Sequence, residues 1–408
     1  MNAPQLAENW KDIGSQFLKI GATAYGGPAI MGIMQAELQE KRQWVTKERF
    51  VEGLSLVNML PGATAAQLSI FLGYARGGWW GGLLGGLCFV LPGFFVLLVL
   101  TMGYAALGVT PVLRGALYGL GPVVLGIYLV AVYRLGKAAM SSRAQVLIAL
   151  AAAVAALAGP VGVAGILLLA GGVGLWLFHS RRLGVPVLVS LAACLAVAHL
   201  VARSVSIPGA VAVPGDAPAA SLLQIGAFLL KVGALTFGGG LTMIAFMQEQ
   251  VVSQFHWLTP QEFIDGLALG QFTPGPILMV AAYVGYKVAG VAGAVVGGAA
   301  AFLPSFVMML AILPAFDRVR KLVWTRAALR GIAPAVIGIL AVSLVRLAPH
   351  ALPDAFAIIT LLATVLVLMV WRVATIKVML LGAGLGIVRS RLFSLPGAKA
   401  ALSIVTRA

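Results

Sequence analysis

Long apolar runs, each bounded by charges, Gly-Pro pairs or polar clusters, follow one another along the whole chain, and no water-soluble fold can bury so many. They fall at 13–35, 51–74, 81–101, 114–134, 145–158, 160–178, 185–203, 222–247, 263–286, 289–313, 331–347, 355–371 and 375–388, about thirteen in all. Over 408 residues, 61% are apolar and only 10% charged, with a mean hydropathy of +1.02. That composition excludes a string of soluble domains, a disordered chain, collagen and a coiled coil. The runs are continuous rather than alternating with period two, so they predict helices and not the strands of a membrane barrel. The expected class is an all-α polytopic protein of the lipid bilayer. The net charge of +16 is then topological, carried mainly between apolar segments, and does not point to nucleic acid. Met1 to Asp12 lacks the basic region and cleavage site of a secretory signal, so the first segment is expected to be retained.

The chain repeats itself at an offset of roughly 212 residues. Phe17-Leu18-Lys19-Ile20-Gly21-Ala22 matches Leu229-Leu230-Lys231-Val232-Gly233-Ala234, and Tyr25-Gly26-Gly27 matches Phe237-Gly238-Gly239. Pro61-Gly62 meets Pro274-Gly275 after a one-residue insertion, and Arg114, Pro122 and Arg134 meet Arg326, Pro334 and Arg346. Two units follow, 1–203 and 221–408, joined by a Pro-, Gly- and Ala-rich linker at 204–220.

Charge differs between equivalent loops. Residues 36–52 hold Lys41, Arg42, Lys47 and Arg49, whereas 248–266 hold no Lys or Arg; residues 102–111 hold none, whereas their counterpart holds Arg318, Arg320 and Lys321. Positive loops stay inside, so the two units are expected to be inverted repeats. Parity then requires that some segments enter the bilayer and return. Pro61-Gly62 breaks segment 51–74 and Gly26-Gly27-Pro28 breaks 13–35, which predicts re-entrant helical hairpins, with mates at 263–286 and 222–247. The scheme leaves Arg389, Arg391 and Lys399 outside. The stretch Glu37 to Phe50 reads as an amphipathic surface segment anchored by Trp44.

Non-helical backbone at membrane depth is tolerated only where protein buries it or where it lines a wet cavity. Each break also frees helix N-terminal amides that suit an anion. The candidate anion-binding residues are therefore Gly26, Gly27, Pro61, Gly62, Gly238, Gly239, Pro274 and Gly275 at the breaks. Thr23, Thr64, Thr236 and Thr273 stand beside them as hydroxyl donors, and Lys19, Lys231, Arg114 and Arg326 as cations. Close helix packing, capping and interfacial snorkelling are the structural alternatives for the same residues. Glu52 and Asp265 match across the repeat, as do Glu37 and Glu249, and a proton relay through them is a weak option. The two cysteines and four histidines have no ligand spacing, so no metal or cofactor is expected, and no cluster of acid, base and nucleophile suggests an enzyme. A nucleotide-binding loop is missing as well.

Gly21-Ala-Thr-Ala-Tyr-Gly-Gly-Pro28, Gln43-Trp44-Val45-Thr46 with Phe50, Pro61-Gly62, Phe237-Gly-Gly-Gly240 and Phe272-Thr-Pro-Gly-Pro276 together resemble the chromate ion transporter family, over nearly the whole chain. The resemblance implies a carrier of the bacterial inner membrane that expels chromate and confers resistance, with sulfate as the chemical mimic. It also singles out the Gly-Gly and Pro-Gly breaks as the site. Tyr25 stands where the family usually has Phe, Ala63 follows Pro61-Gly62 where Pro is usual, and Gly240 replaces the proline seen as Pro28. A sulfate or other oxyanion transporter and an anion channel are the alternatives; the sequence allows a homo-oligomer.

Overall fold

The computed structural model describes residues 6–25, 27–106, 110–158, 161–205, 221–238, 240–316, 323–371 and 373–394. These residues form helices and, among them, no strand. Among the described residues four helices are long and apolar enough to cross a membrane, and the molecule is an all-α polytopic membrane protein.

The first half runs α1 (Leu6–Thr23), α2 (Gly27–Met34), α3 (Lys47–Met59), α4 (Thr64–Ala106), α5 (Pro111–Ala139), α6 (Arg143–Ala158), α7 (Val163–Phe178) and α8 (Arg181–Val205). The second runs α9 (Leu222–Ala234), α10 (Thr242–Met247), α11 (Pro260–Phe272), α12 (Val280–Ile312), α13 (Val323–Ala351), α14 (Ala355–Val370) and α15 (Thr375–Ser394). Equivalence extends to irregular backbone. Helices α2 and α10 each run on into a π-helical turn, Gln35–Lys41 and Gln248–Gln254. Gln43 and His256, matched in the repeat, both take a left-handed φ, of 50° and 52°. Helix starts are written in the sequence as caps: Thr46 accepts from the Arg49 amide, and Thr259 with Glu262 and Ser221 with Gln224 form capping boxes.

Helix α4 is not one straight rod. Gly77 and Gly78 leave helical geometry, Gly78 at φ 64°, and the chain doubles back, so that Gly81 packs on Gly73 and Gly85 on Ser69. Ala289 and Gly290 repeat the reversal in α12, with Gly293 against Gly285. A β-carbon is strained at that φ, which is why glycine holds both second positions. The short arm of α4 and the 13-residue α3 thus make one hairpin, each arm about 20 Å long and too short to cross a core of about 30 Å. Helix α1 and the α2 arm make another, closed at its open end by Arg42 on Asp12 at 2.8 Å and by Trp44 edge-on to Phe17 at 5.9 Å. Trp44 is therefore a buried packing residue and not the surface anchor that the sequence suggests; the π-helical turn rolls it inward onto α1.

The two halves exchange partners. Arg134 of α5 donates to the Leu368 carbonyl of α14 at 2.7 Å, and its mate Arg346 of α13 donates to the Ala156 carbonyl of α6 at 2.8 Å. Small residues permit the same exchange elsewhere: Gly119 and Gly115 pack on Gly382 and Gly386 of α15, and Gly331 on Ala170 and Gly174 of α7. Helices α5 and α13 run antiparallel, with Gly136 beside Ile337 and Gly121 beside Ala351. The long arms of α4 and α12 are antiparallel too, Gly82 meeting Leu310, Gly86 meeting Phe306 and Gly298 meeting Phe94. Helix α8 lies antiparallel on α7, Gly184 against Trp176 and Gly172 against Leu188, and has no mate among the described residues of the second half.

Candidate functional site

Four helix breaks meet in the interior. The amide of Gly62, between α3 and α4, donates to the Thr236 carbonyl at 2.6 Å; the amide of Gly275, between α11 and α12, donates to the Ala24 carbonyl at 3.0 Å. Gly62 matches Gly275 and Ala24 matches Thr236, so one contact between the halves is made twice. Both glycines have positive φ, 122° and 98°, which turns their amides away from their own helices and across to the other half. The helices that begin just after the breaks, α2, α4, α10 and the turn Ile277–Met279 leading into α12, bring their N-termini to this junction. Free amides at such ends suit an oxyanion.

The site is not symmetric in its side chains. On the first-half side the Ala63 amide donates to Ser305 Oγ at 3.0 Å, and Gln67 Nε2 donates to the Pro61 carbonyl at 2.6 Å. Gln67 is fully buried, and its Oε1 has no hydrogen-bond partner. In the second half Pro276 has no amide to offer and Val280 stands in place of Gln67. There the backbone is held instead by Thr242, whose hydroxyl accepts from the Phe237 amide at 2.5 Å. Gln271 Nε2 donates to Tyr128 Oη at 3.0 Å, tying the α11 break to α5.

The structure brings together most of the residues singled out from the sequence. Pro61, Gly62 and Thr64, with Thr236, Gly238, Thr273, Pro274 and Gly275, lie at the junction, and Gly27 opens α2 beside it. Gly26 and Gly239 lie outside the described residues. Thr23, Thr236 and Thr273 each spend their hydroxyl on a carbonyl one turn back, those of Lys19, Val232 and Leu269, so their oxygens remain only as acceptors or through rotation. Lys19 and Lys231 are exposed, one turn or more before the breaks. The hydrogen bond from Lys41 lowers the Glu37 carboxyl against desolvation, and the charges of Lys41, Lys19 and Arg42 add to the lowering.

Arg114 and Arg326 are not at the junction. Arg114 lines a pocket of about 320 Å³ with Tyr118, Arg389 and Ser390 at the start of α5, about 21 Å along that helix from Tyr128. Arg326 is exposed at the equivalent start of α13. Ser305 and Thr242 escaped the sequence reading. A mismatch inside the repeat could have flagged Ser305, since it follows Pro304 where Gly93 follows Pro92. Among the described residues no group of three or more His, Cys, Asp or Glu could hold a metal ion.

A family model described as chromate transporter matches residues 11–176 and 223–387. A chromate transport protein of Cupriavidus metallidurans is 32% identical over 372 residues, covering 90% of both chains. One of Pseudomonas aeruginosa is 35% identical and covers 82% of this chain and 80% of its own. A probable chromate transport protein of Synechococcus elongatus is 31% identical, covering 85% and 87%. No solved structure matches.

Proposed function

This chain belongs to the chromate transporter family, and we propose on that footing that it carries chromate out of the cytoplasm across the bacterial inner membrane and so confers resistance. The observation that carries this reading is the doubled amide bond between the halves, Gly62 to Thr236 and Gly275 to Ala24, which brings the four helix breaks to one junction. A dianion there would meet backbone donors, with Lys19 and Lys231 as attracting charges on the approach and Arg114 and Arg326 as guides at the two mouths.

In this reading 1–203 and 221–408 are two inverted repeats joined by 204–220. The antiparallel course of equivalent helices supports it, and so does the charge pattern: Lys41, Arg42, Lys47, Arg49, Lys137, Arg143, Arg181 and Arg182 belong to one face, which is then cytoplasmic. Rocking of one half on the other would expose the junction alternately. Export of a divalent anion from an inside-negative cell is favoured by about 2.3 kcal/mol per charge per 100 mV, so the potential can supply the drive. Chromate uptake into liposomes tests the reading: saturation and counterflow are expected, with competition by sulfate. A flux that never saturates and shows no counterflow means a channel, and preference for sulfate means a different cargo.

A further inference from the structure

Asp12, Arg42 and Arg76 lie on one face of the molecule, the near face, and Asp354 lies on the opposite, far face; the repeat builds an equivalent junction at each. At the near face Arg49 pairs with Glu52 at 3.2 Å and lies over the Phe316 ring at 4.1 Å, with Phe71 and Phe316 in ring contact. At the far face every one of those four positions differs. Glu262 replaces Arg49, Asp265 replaces Glu52, Tyr283 replaces Phe71 and Tyr104 replaces Phe316. An ion pair set among phenyl rings has become a carboxyl group held by one hydroxyl and an amide.

Asp265 is buried, 5% exposed, on α11, the arm of the hairpin whose tip is Thr273–Gly275. One carboxyl oxygen accepts from Tyr104 Oη at 3.0 Å and the other from Gln261 Nε2 at 3.0 Å. Both donors are neutral. Lys287, the cation at this junction, is instead bonded to Glu262 at 2.8 Å, and the Tyr283 hydroxyl donates to the Glu262 carbonyl at 2.8 Å. The titratable groups around Asp265 are thus Glu262 on its own helix, Tyr104 from α4, and Tyr283 and Lys287 from α12. Those of α5 and α15 at this end, Tyr118 and Arg389, gather around Asp354, and Arg114 lines the pocket beside them. The buried carboxyl group thus has two neutral donors and no bonded cation, an environment in which the charged form is costly and a proton is readily held.

We infer that Asp265 is a proton-binding site at the far face, through which an inward-moving proton is exchanged for the exported oxyanion. Glu262 and Lys287 are partly exposed, so protons reach the junction from far-face water. Tyr104 belongs to the first half and Asp265 to the second, which makes their hydrogen bond a latch between the halves. An ionised carboxylate grips the hydroxyl in a charge-assisted bond, and a protonated one holds it more weakly, so proton occupancy biases the movement of the hairpin that bears Gly275. This inference rests on the transport reading given above.

The test uses the full chain in liposomes with the potential clamped at zero. A pH step across the membrane is expected to accelerate chromate movement several-fold. Asp265→Asn is expected to lose that response, whereas Glu52→Gln, its near-face counterpart, keeps it. Infrared titration of the same protein supplies a readout without chromate: a protonated carboxyl band persisting above the range of aqueous carboxylates, and missing in Asp265→Asn. A full pH response in Asp265→Asn, or no such band in the unmodified protein, overturns the proton site. A protein that shows the band yet moves no chromate under any gradient overturns the transport reading and the exchange with it, while the protonation of Asp265 stands.

Discussion

Gly62 reaches across to the carbonyl of Thr236 at 2.6 Å, and the space beside it is already filled by Ser305 and Gln67. Its mate Gly275 makes the matching bond to Ala24, but a β-carbon there would meet nothing within 4 Å. Two equivalent glycines thus sit in unequal surroundings, and the first two predictions follow from that difference.

Gly275→Ala should suffer mainly from its φ of 98°, a penalty of about 1–2 kcal/mol. Gly62→Ala should add overpacking against Ser305 and Gln67 and cost about 1–3 kcal/mol more. Thermal unfolding in detergent should rank Gly62→Ala well below Gly275→Ala. Equal losses would mean that the two breaks are packed alike.

Ser305→Ala removes the acceptor of the Ala63 amide in a buried site. An orphaned buried donor costs about 1–3 kcal/mol, so the melting temperature should fall although one oxygen is all that is lost. Ser305→Gly, which restores the residue found at Gly93, should not recover it. A melting curve unchanged in both variants would show that the amide has another partner.

Thiol labelling of intact cells tests the inversion. In a Cys194→Ser background, with Cys88 buried, Arg42→Cys and His256→Cys should be modified from opposite sides. Modification of both by an impermeant reagent added outside would end the inverted arrangement, and with it the shared site at the four breaks.

Lys19→Ala and Lys231→Ala should each raise the chromate concentration needed for half-maximal transport by about tenfold, the equivalent of about 1.4 kcal/mol of lost attraction. Lys19→Arg and Lys231→Arg should retain most of the affinity. Normal kinetics in both alanine variants would reduce the lysines to interfacial anchors.

Acid should loosen the far face through Asp354. Burial opposes its ionisation, but hydrogen bonds from Tyr118 and the Ala357 amide, together with the Arg389 charge, outweigh it and hold the carboxyl below its ordinary value. Arg389 is hydrogen-bonded to it and stacks over Tyr118 at 4.3 Å. A depressed native value means stability that is present above the unfolded value and lost as pH falls through the native one. The acid limb of a melting-temperature profile should therefore flatten in Asp354→Asn; an unaltered limb would assign the acid sensitivity elsewhere.

Much of this architecture is legible in the sequence because the physics behind it is one-dimensional. Apolar runs report the bilayer, matched motifs report duplication, and Pro-Gly or Gly-Gly inside a run reports interruption, so the hairpins at Tyr25 and Pro61 are written in the sequence. The reversal at Gly77 and Gly78 was harder to see, because Ala289 replaces the first of those glycines in the second half and only Gly290 keeps the signal. Trp44 read as a surface anchor because its neighbours are charged, and only the π-helical turn shows that it faces Phe17. Likewise nothing local connects Tyr104 with Asp265, or Ser305 with Ala63, since each pair is assembled by packing between halves. The basic residues Arg389 and Arg391, which fit the positive-inside scheme poorly, have a structural account in part: Arg389 is committed to Asp354.

Helix α8 has no mate among the described residues of the second half, and under the proposed inversion that oddness is what lets a duplicated chain close on itself. In each copy the long arm after the glycine reversal and the three helices that follow it make an even set of traverses, so the last of them ends on the face where the copy began. Fused directly, the twin would have started from that same face and lain the same way up. One unmatched traverse delivers the polypeptide to the other face first. In the inverted arrangement proposed above, the second copy then lies the other way up, with Gly275 meeting Ala24 as Gly62 meets Thr236. On that reading, the pairing of two copies within one polypeptide hangs on α8.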